Sequence, residues 1–150
     1  MKTEKRVLDK DRGVEANCQV ILLVTTRPLH MLPFTQELHD ASRMQVIVAG
    51  SAEEAIDAAN RYPVAMAVVD DLICQNGSLD LIRHLIRIDA FMHTAVLSDA
   101  DDATFHDHSE GLGVLAKLSF MPGQKDARHL WELLRAMPPA LNHGAEVISR

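Results

Sequence analysis

Polar side chains stand directly after the short apolar runs of this sequence. They are Thr25-Thr26, Gly50-Ser51, Asp70-Asp71, Ser98-Asp99 and Lys117. If the apolar runs are parallel strands of one open sheet, these groups meet at its carboxyl edge, where binding sites of such sheets gather. A carboxylate and an ammonium group at the same edge can form an ion pair. A pair between Asp70 and Lys117 would contribute about 0–1 kcal/mol to the free energy of unfolding if it is exposed.

The elements that must position these groups alternate regularly along the chain. Apolar runs typical of buried parallel strands occupy 20–24, 46–49, 64–69, 94–97 and 114–116. Apolar residues at helical spacing separate these runs, and the capping box of Ser51 and Glu54 marks the start of one helix. Five strands alternating with five helices predict an α/β fold: a five-stranded parallel sheet with helices on both faces.

The composition indicates one cytoplasmic globular domain of 150 residues. A chain of this length buries about two thirds of its unfolded surface and folds without disulfides or metal. The net charge of -6 and the aromatic content of 4% argue against nucleic acid as a partner. No apolar run approaches the roughly 18–20 residues that cross a bilayer, so no membrane partner is expected.

The charge pattern divides the chain into three parts. Residues 1–16 carry mixed charges with few apolar side chains and are predicted to form a charged N-terminal arm. Residues 17–138 carry the alternating pattern and form the predicted domain, and residues 139–150 form a C-terminal tail. Because the fifth helix lies close to the end of the chain, we expect a stand-alone domain whose output is a separate protein.

Most of the chain, from residue 18 to 137, resembles the receiver domain of two-component response regulators. Val68-Val69-Asp70 resembles the site that accepts a phosphoryl group from a histidine kinase, with Asp71 as the alternative acceptor. Leu97-Ser98 resembles the switch hydroxyl of that family, and Leu115-Ala116-Lys117 resembles its switch lysine. The resemblance implies a (βα)5 flavodoxin-like receiver fold, CheY-like in type, and a role in phosphorelay signal transduction.

Several departures from that family's pattern predict a pseudo-receiver. Thr25 and Thr26 stand where the family carries the acidic pair that holds Mg²⁺, and hydroxyls are poor ligands for this ion. Leu118 follows the lysine in place of the family's proline, and Val114 replaces the aromatic residue of its rotamer switch. The sequence therefore predicts weak or absent Mg²⁺ binding, no other metal or cofactor, and no efficient phosphorylation of Asp70.

These positions also have plainer interpretations. Asp70 and Asp71 are typical of solvated acids in a loop at a strand end, and Ser98, shortly before Asp101-Asp102, is expected to cap a helix. Two alternative functions stay open: a working receiver phosphorylated on Asp70, and a ligand-binding protein or enzyme on a flavodoxin-like fold. The sequence lacks G-x-S-x-G, G-x-G-x-x-G and P-loop motifs, which favours a function without catalysis.

The resemblance implies an output surface made of the fourth helix, the fifth strand and the fifth helix. The acidic fourth helix, 101–110, is expected to face the basic fifth helix, which carries Arg128, Trp131 and Arg135. Trp131 fits either the core or an interface, and the arginines fit an interface with cationic anchors. We expect this surface to bind a signalling protein, either a histidine kinase or an output protein, or a second copy in a homodimer.

Overall fold

The structure is a computed structural model that describes residues 18–73 and 77–137. The predicted N-terminal arm, 1–16, and the predicted C-terminal tail, 139–150, lie outside the described residues. The limits of the domain therefore stay predictions.

Five parallel strands form a single sheet in the described part of the chain. They are β1 (Val20–Val24), β2 (Gln45–Ala49), β3 (Val64–Asp70), β4 (His93–Leu97) and β5 (Ala116–Leu118). Their spatial order is β2-β1-β3-β4-β5, and every neighbouring pair is parallel. The predicted five-stranded parallel sheet is confirmed.

Helices connect the strands at each crossover. They are α1 (Leu32–Ser42), which a 3₁₀ turn (Pro28–Met31) precedes, α2 (Ala52–Arg61), α3 (Ser78–Ile88), α4 (Asp102–Ser109) and α5 (Gln124–Arg135). The predicted cap of α2 is confirmed, because the Ser51 hydroxyl accepts a 3.1 Å hydrogen bond from the Glu54 amide. Within the described residues, none of these helices has the length and apolar character needed to cross a membrane.

The core has two layers, one on each face of the sheet. Successive strand residues point to opposite faces, so Leu22 and Val69 pack against α2 and α3, whereas Leu23 and Val68 pack against α1 and α5. The largest fully buried helical side chains are Phe34, Leu38, Leu81, Ile82, Leu85 and Leu130. The edge formed by the carboxyl ends of the strands lies between these layers and carries the polar residues.

The predicted position of the fifth strand is wrong by two residues. The strand is Ala116–Leu118 rather than 114–116. Gly113 has a positive φ of 70°, and Leu115 donates a 2.7 Å hydrogen bond to the Thr94 carbonyl, so these residues lead into the strand. Lys117 therefore lies inside β5, opposite Val96, and the residue that follows the strand is Ser119.

The expectation that α4 faces α5 is also wrong. Phe105 of α4 packs against the layer that contains α2 and α3, whereas Ala127 and Leu130 of α5 pack on the opposite face of the sheet. Consecutive crossovers thus place the two helices on different faces, on either side of the edge strand β5. Within the described residues, no ion pair joins α4 to α5.

Candidate functional site

Asp70 is a fully buried acid at the carboxyl end of the sheet. It is the last residue of β3, it pairs in register with Leu97 of β4, and its exposure is 0%. β3 lies between β1 and β4 in the centre of the sheet, so the neighbouring strand ends surround this carboxylate. The interpretation of Asp70 as a solvated loop acid is therefore wrong.

Both carboxylate oxygens of Asp70 accept hydrogen bonds. Thr25 Oγ1 donates to Oδ2 at 2.8 Å, and Arg27 Nε donates to the same oxygen at 2.8 Å. Arg27 Nη2 donates to Oδ1 at 3.2 Å, and the Leu72 amide donates to Oδ1 at 3.2 Å. The arginine thus binds the carboxylate with two parallel N–H groups, which is the strongest common geometry of this ion pair.

Arg27 reaches the site from the loop after β1, and Thr25 orients that loop. The Thr25 hydroxyl accepts a 3.0 Å hydrogen bond from the Arg27 amide while it donates to Asp70. The Arg27 side chain is only 13% exposed, so the pair is largely removed from water. Sequence analysis did not predict a role for Arg27. The available signal was its position, because Arg27 directly follows Thr25 and Thr26, which replace the acidic pair at the end of β1.

The cation beside Asp70 therefore comes from the loop after β1 and not from β5. Lys117 Nζ lies 3.4 Å from Asp102 Oδ1, so the predicted ion pair between Asp70 and Lys117 is wrong. The register explains this, because Lys117 pairs with Val96, whose side chain lies in the layer of α2 and α3. With Asp102 95% exposed, the observed pair contributes little to stability.

Asp71 forms a second polar group beside the first. Its Oδ1 accepts a 2.9 Å hydrogen bond from the Ser78 hydroxyl, and its Oδ2 accepts a 3.2 Å hydrogen bond from the Ser98 hydroxyl. Ser98 is 3% exposed, and its oxygen also accepts a 3.0 Å hydrogen bond from the Ala100 amide. The hydroxyl that resembles a switch residue is thus bound to Asp71 rather than to Asp70.

The expected capping role of Ser98 is wrong. Asp101 occupies the N-cap of α4, where its carboxylate accepts a 2.8 Å hydrogen bond from the Thr104 amide. The Thr104 hydroxyl donates a further hydrogen bond to Asp101 at 3.1 Å. These two bonds hold the pKa of the Asp101 carboxyl below its ordinary value.

The residues predicted to replace the metal ligands and those predicted to form an interface differ in how far they are buried. Thr25 is buried, whereas Thr26 is exposed and has no hydrogen bond to Asp70 in the described part of the chain. Arg128 Nε binds Glu37 Oε2 at 3.0 Å and so links α5 to α1. Trp131 is half-buried against the layer of α1 and α5, and Arg135 is exposed, with Nε 3.9 Å from Glu132 Oε1. Their role in an interface stays a prediction.

Solved response-regulator structures share this fold. A CheY-like response regulator receiver domain protein from Methanospirillum hungatei JF-1 matches with a TM-score of 0.66 and 16% identity, over 79% of this chain and 95% of that chain. The chemotaxis response regulator CheY4 of Vibrio cholerae matches with a TM-score of 0.68 and 12% identity, over 79% and 99% of the two chains.

A third similar structure is a response regulator protein from Burkholderia pseudomallei with a phosphorylated aspartic acid, calcium ion and citrate. It matches with a TM-score of 0.65 and 16% identity, over 85% of this chain and 71% of that chain. No protein-family model and no curated protein matches the sequence.

The solved structures match this chain over most of its length. The chain therefore has the fold of a CheY-like receiver domain, as the sequence predicted.

Proposed function

We propose that this chain is an atypical receiver that acts in signal transduction through contacts with other proteins. The observation that carries the proposal is the pair of hydrogen bonds, 2.8 and 3.2 Å long, from Arg27 to the two oxygens of Asp70. The guanidinium neutralises the acid that resembles the phospho-acceptor and covers the oxygens that would attack phosphorus. The domain then signals in one fixed chemical state rather than by phosphorylation.

The donor set around Asp70 does not fit a Mg²⁺ ion. Mg²⁺ requires a near-ideal octahedron of oxygen ligands, usually one or two carboxylates with several waters. Here the hydroxyl of Thr25 donates its proton to Asp70, and a permanently charged arginine binds both carboxylate oxygens. Residues 18–73 and 77–137 contain no cluster of three or more His, Cys, Asp or Glu that could hold a metal. We therefore propose that phosphorylation that depends on Mg²⁺ is inefficient.

The second candidate function is that of a working receiver phosphorylated on Asp70. A guanidinium is a good ligand for phosphoryl oxygens, so Arg27 supplies a positive charge that could stabilise an acyl phosphate. Asp71 is the alternative acceptor of the phosphoryl group. It is less buried than Asp70, and its carboxylate lies beside the Ser98 hydroxyl.

A phosphorylation assay separates these two functions. The full chain is incubated with acetyl phosphate as a small phosphoryl donor, with and without Mg²⁺, and intact mass is measured. We expect no phosphorylated species in either condition. A phosphorylated species that needs Mg²⁺ and disappears in Asp70→Asn, but not in Asp71→Asn, would contradict the first proposal and support the second.

The partners that fit this proposal are signalling proteins in the cytoplasm. A histidine kinase or a separate output protein would bind the domain, and a second copy could bind through the surface of α4, β5 and α5. On this surface Trp131 is half-buried and Arg135 is exposed, whereas Arg128 already binds Glu37. Arg135 is therefore the better cationic anchor for a partner.

A further inference from the structure

The loop between β5 and α5, residues 119–123, is attached to the sheet edge by Arg27. Nη2 donates a 2.7 Å hydrogen bond to the Phe120 carbonyl, and Nη1 lies 3.0 Å from Met121 Sδ. The guanidinium carbon lies 3.9 Å from the centre of the Phe120 ring, in cation–π contact. One side chain from the loop after β1 therefore contacts two consecutive residues of a loop more than ninety positions away.

The other hydrogen bonds of this loop are local, as far as the structure describes the chain. Ser119 exchanges hydrogen bonds with Met121, and Gly123 donates to Asp126 in the first turn of α5. Since these local bonds move with the loop, they do not fix its position on the domain. Arg27 provides the polar contacts that do.

The position of Arg27 depends in turn on the charge of Asp70. The Arg27 side chain, only 13% exposed, is stable there because a carboxylate binds its guanidinium in a bidentate geometry. If Asp70 loses its charge, Arg27 is left largely buried without a counter-ion, and its most favourable response is to turn outward into water. That movement would remove all of its contacts with Phe120 and Met121 at once.

We infer that Arg27 is a positioning residue that couples the charge of Asp70 to the position of the loop 119–123. Asp70 makes no hydrogen bond to this loop within the described residues, so the coupling passes through the guanidinium. This coupling goes beyond the proposed function, because it acts in the protein whose Asp70 carries no phosphoryl group. In this protein the side chain of Arg27 thus links the buried carboxylate to the β5–α5 loop.

The experiment compares the full chain with the variant Asp70→Asn by NMR, in the absence of any phosphoryl donor. Methyl-labelled methionine reports on Met121, assigned through Met121→Leu, and the Arg27 Nε–H signal reports on the ion pair. We expect the Met121 methyl signal to move toward its random-coil position and the Arg27 Nε–H signal to disappear. The amides of Met121 and Gly123 should exchange about tenfold faster or more. Arg27→Ala should give the same loop signals, and the double variant should add nothing.

Asp71→Asn is the matched control, because it neutralises the adjacent acid that binds Ser78 and Ser98 instead of Arg27. It should leave the Met121 signals unchanged. The inference is overturned if Asp70→Asn leaves the loop as in the wild type, or if Asp71→Asn changes it equally.

A second variant keeps the test decisive if Asp70→Asn does not fold. Arg27→Lys keeps the charge for Asp70 but lacks the planar fork that reaches Asp70 and Phe120 together. We expect it to fold with a loosened loop, and a loop as in the wild type would overturn the inference. Because no phosphoryl donor is present, phosphorylation of Asp70 in the separate assay would contradict the proposed function and leave this result standing.

Discussion

The Arg27 guanidinium binds both carboxylate oxygens of Asp70, at 2.8 and 3.2 Å, in a pocket where the acid is 0% exposed. An ion pair in this setting differs from the surface pairs of the molecule, because the Asp70 side chain is fully buried and the Arg27 side chain is only 13% exposed. Breaking such a pair from one side leaves an uncompensated buried charge, which costs more than the pair itself contributes. We therefore expect substitutions of Arg27 or Asp70 to cost more stability than substitutions in the surface pairs.

Arg27→Ala should lower the free energy of unfolding by about 3 kcal/mol or more, because it leaves Asp70 buried without its cation. Chemical denaturation of the full chain, followed by circular dichroism, measures this loss. Arg128→Ala is the matched control, since it removes an arginine that is 58% exposed and binds Glu37 at the surface. We expect the control to lose no more than about 1 kcal/mol. Equal losses in the two variants would show that the Asp70 pair behaves like a surface pair.

The sheet and helices could be predicted from the sequence because their signals are local. The buried strand runs of β1, β3 and β4 and the Ser51 cap each lie within a few consecutive residues. β5 was misplaced because it is a short edge strand in which only Leu118 is buried, so its apolar pattern is weak. The Arg27–Asp70 contact could not be predicted, since it depends on how the loop after β1 lies over the end of β3.

Mg²⁺ should bind the wild-type protein only weakly, with no saturation below about ten millimolar, because Arg27 already neutralises the Asp70 carboxylate. Titration of the backbone amide shifts of residues 25–27 and 70–72 by NMR measures the affinity. Asp70→Asn is the control and should remove any shift that arises from this pocket. Saturable binding near one millimolar that depends on Asp70 would contradict the proposed lack of a metal site.

Trp131→Ala should destabilise the domain by about 1–3 kcal/mol, less than a fully buried aromatic residue, because the indole is half-buried against the layer of α1 and α5. Thermal denaturation measures the stability, and sedimentation velocity on the same samples measures association. Arg135→Ala, on the exposed surface, should change stability little and weaken any association through α4, β5 and α5. A monomer at high concentration in both the wild type and Arg135→Ala would remove the basis for the homodimer.

The N-terminus of α4 should become less stable at acid pH through Asp101. Hydrogen bonds from the Thr104 amide and hydroxyl lower the pKa of Asp101 in the folded protein below its ordinary value of 3.8. The charged carboxylate therefore stabilises the helix at neutral pH, and this contribution is lost as the pH falls below 3.8 through the lower folded pKa. The amide chemical shift of Thr104, followed from pH 6 downward at roughly half-unit steps, measures this titration. Asp101→Asn keeps the side-chain oxygen that caps the helix but cannot titrate, so its Thr104 shift should stay flat over the same range. A Thr104 shift that titrates equally in Asp101→Asn would assign the transition to another group and contradict the prediction.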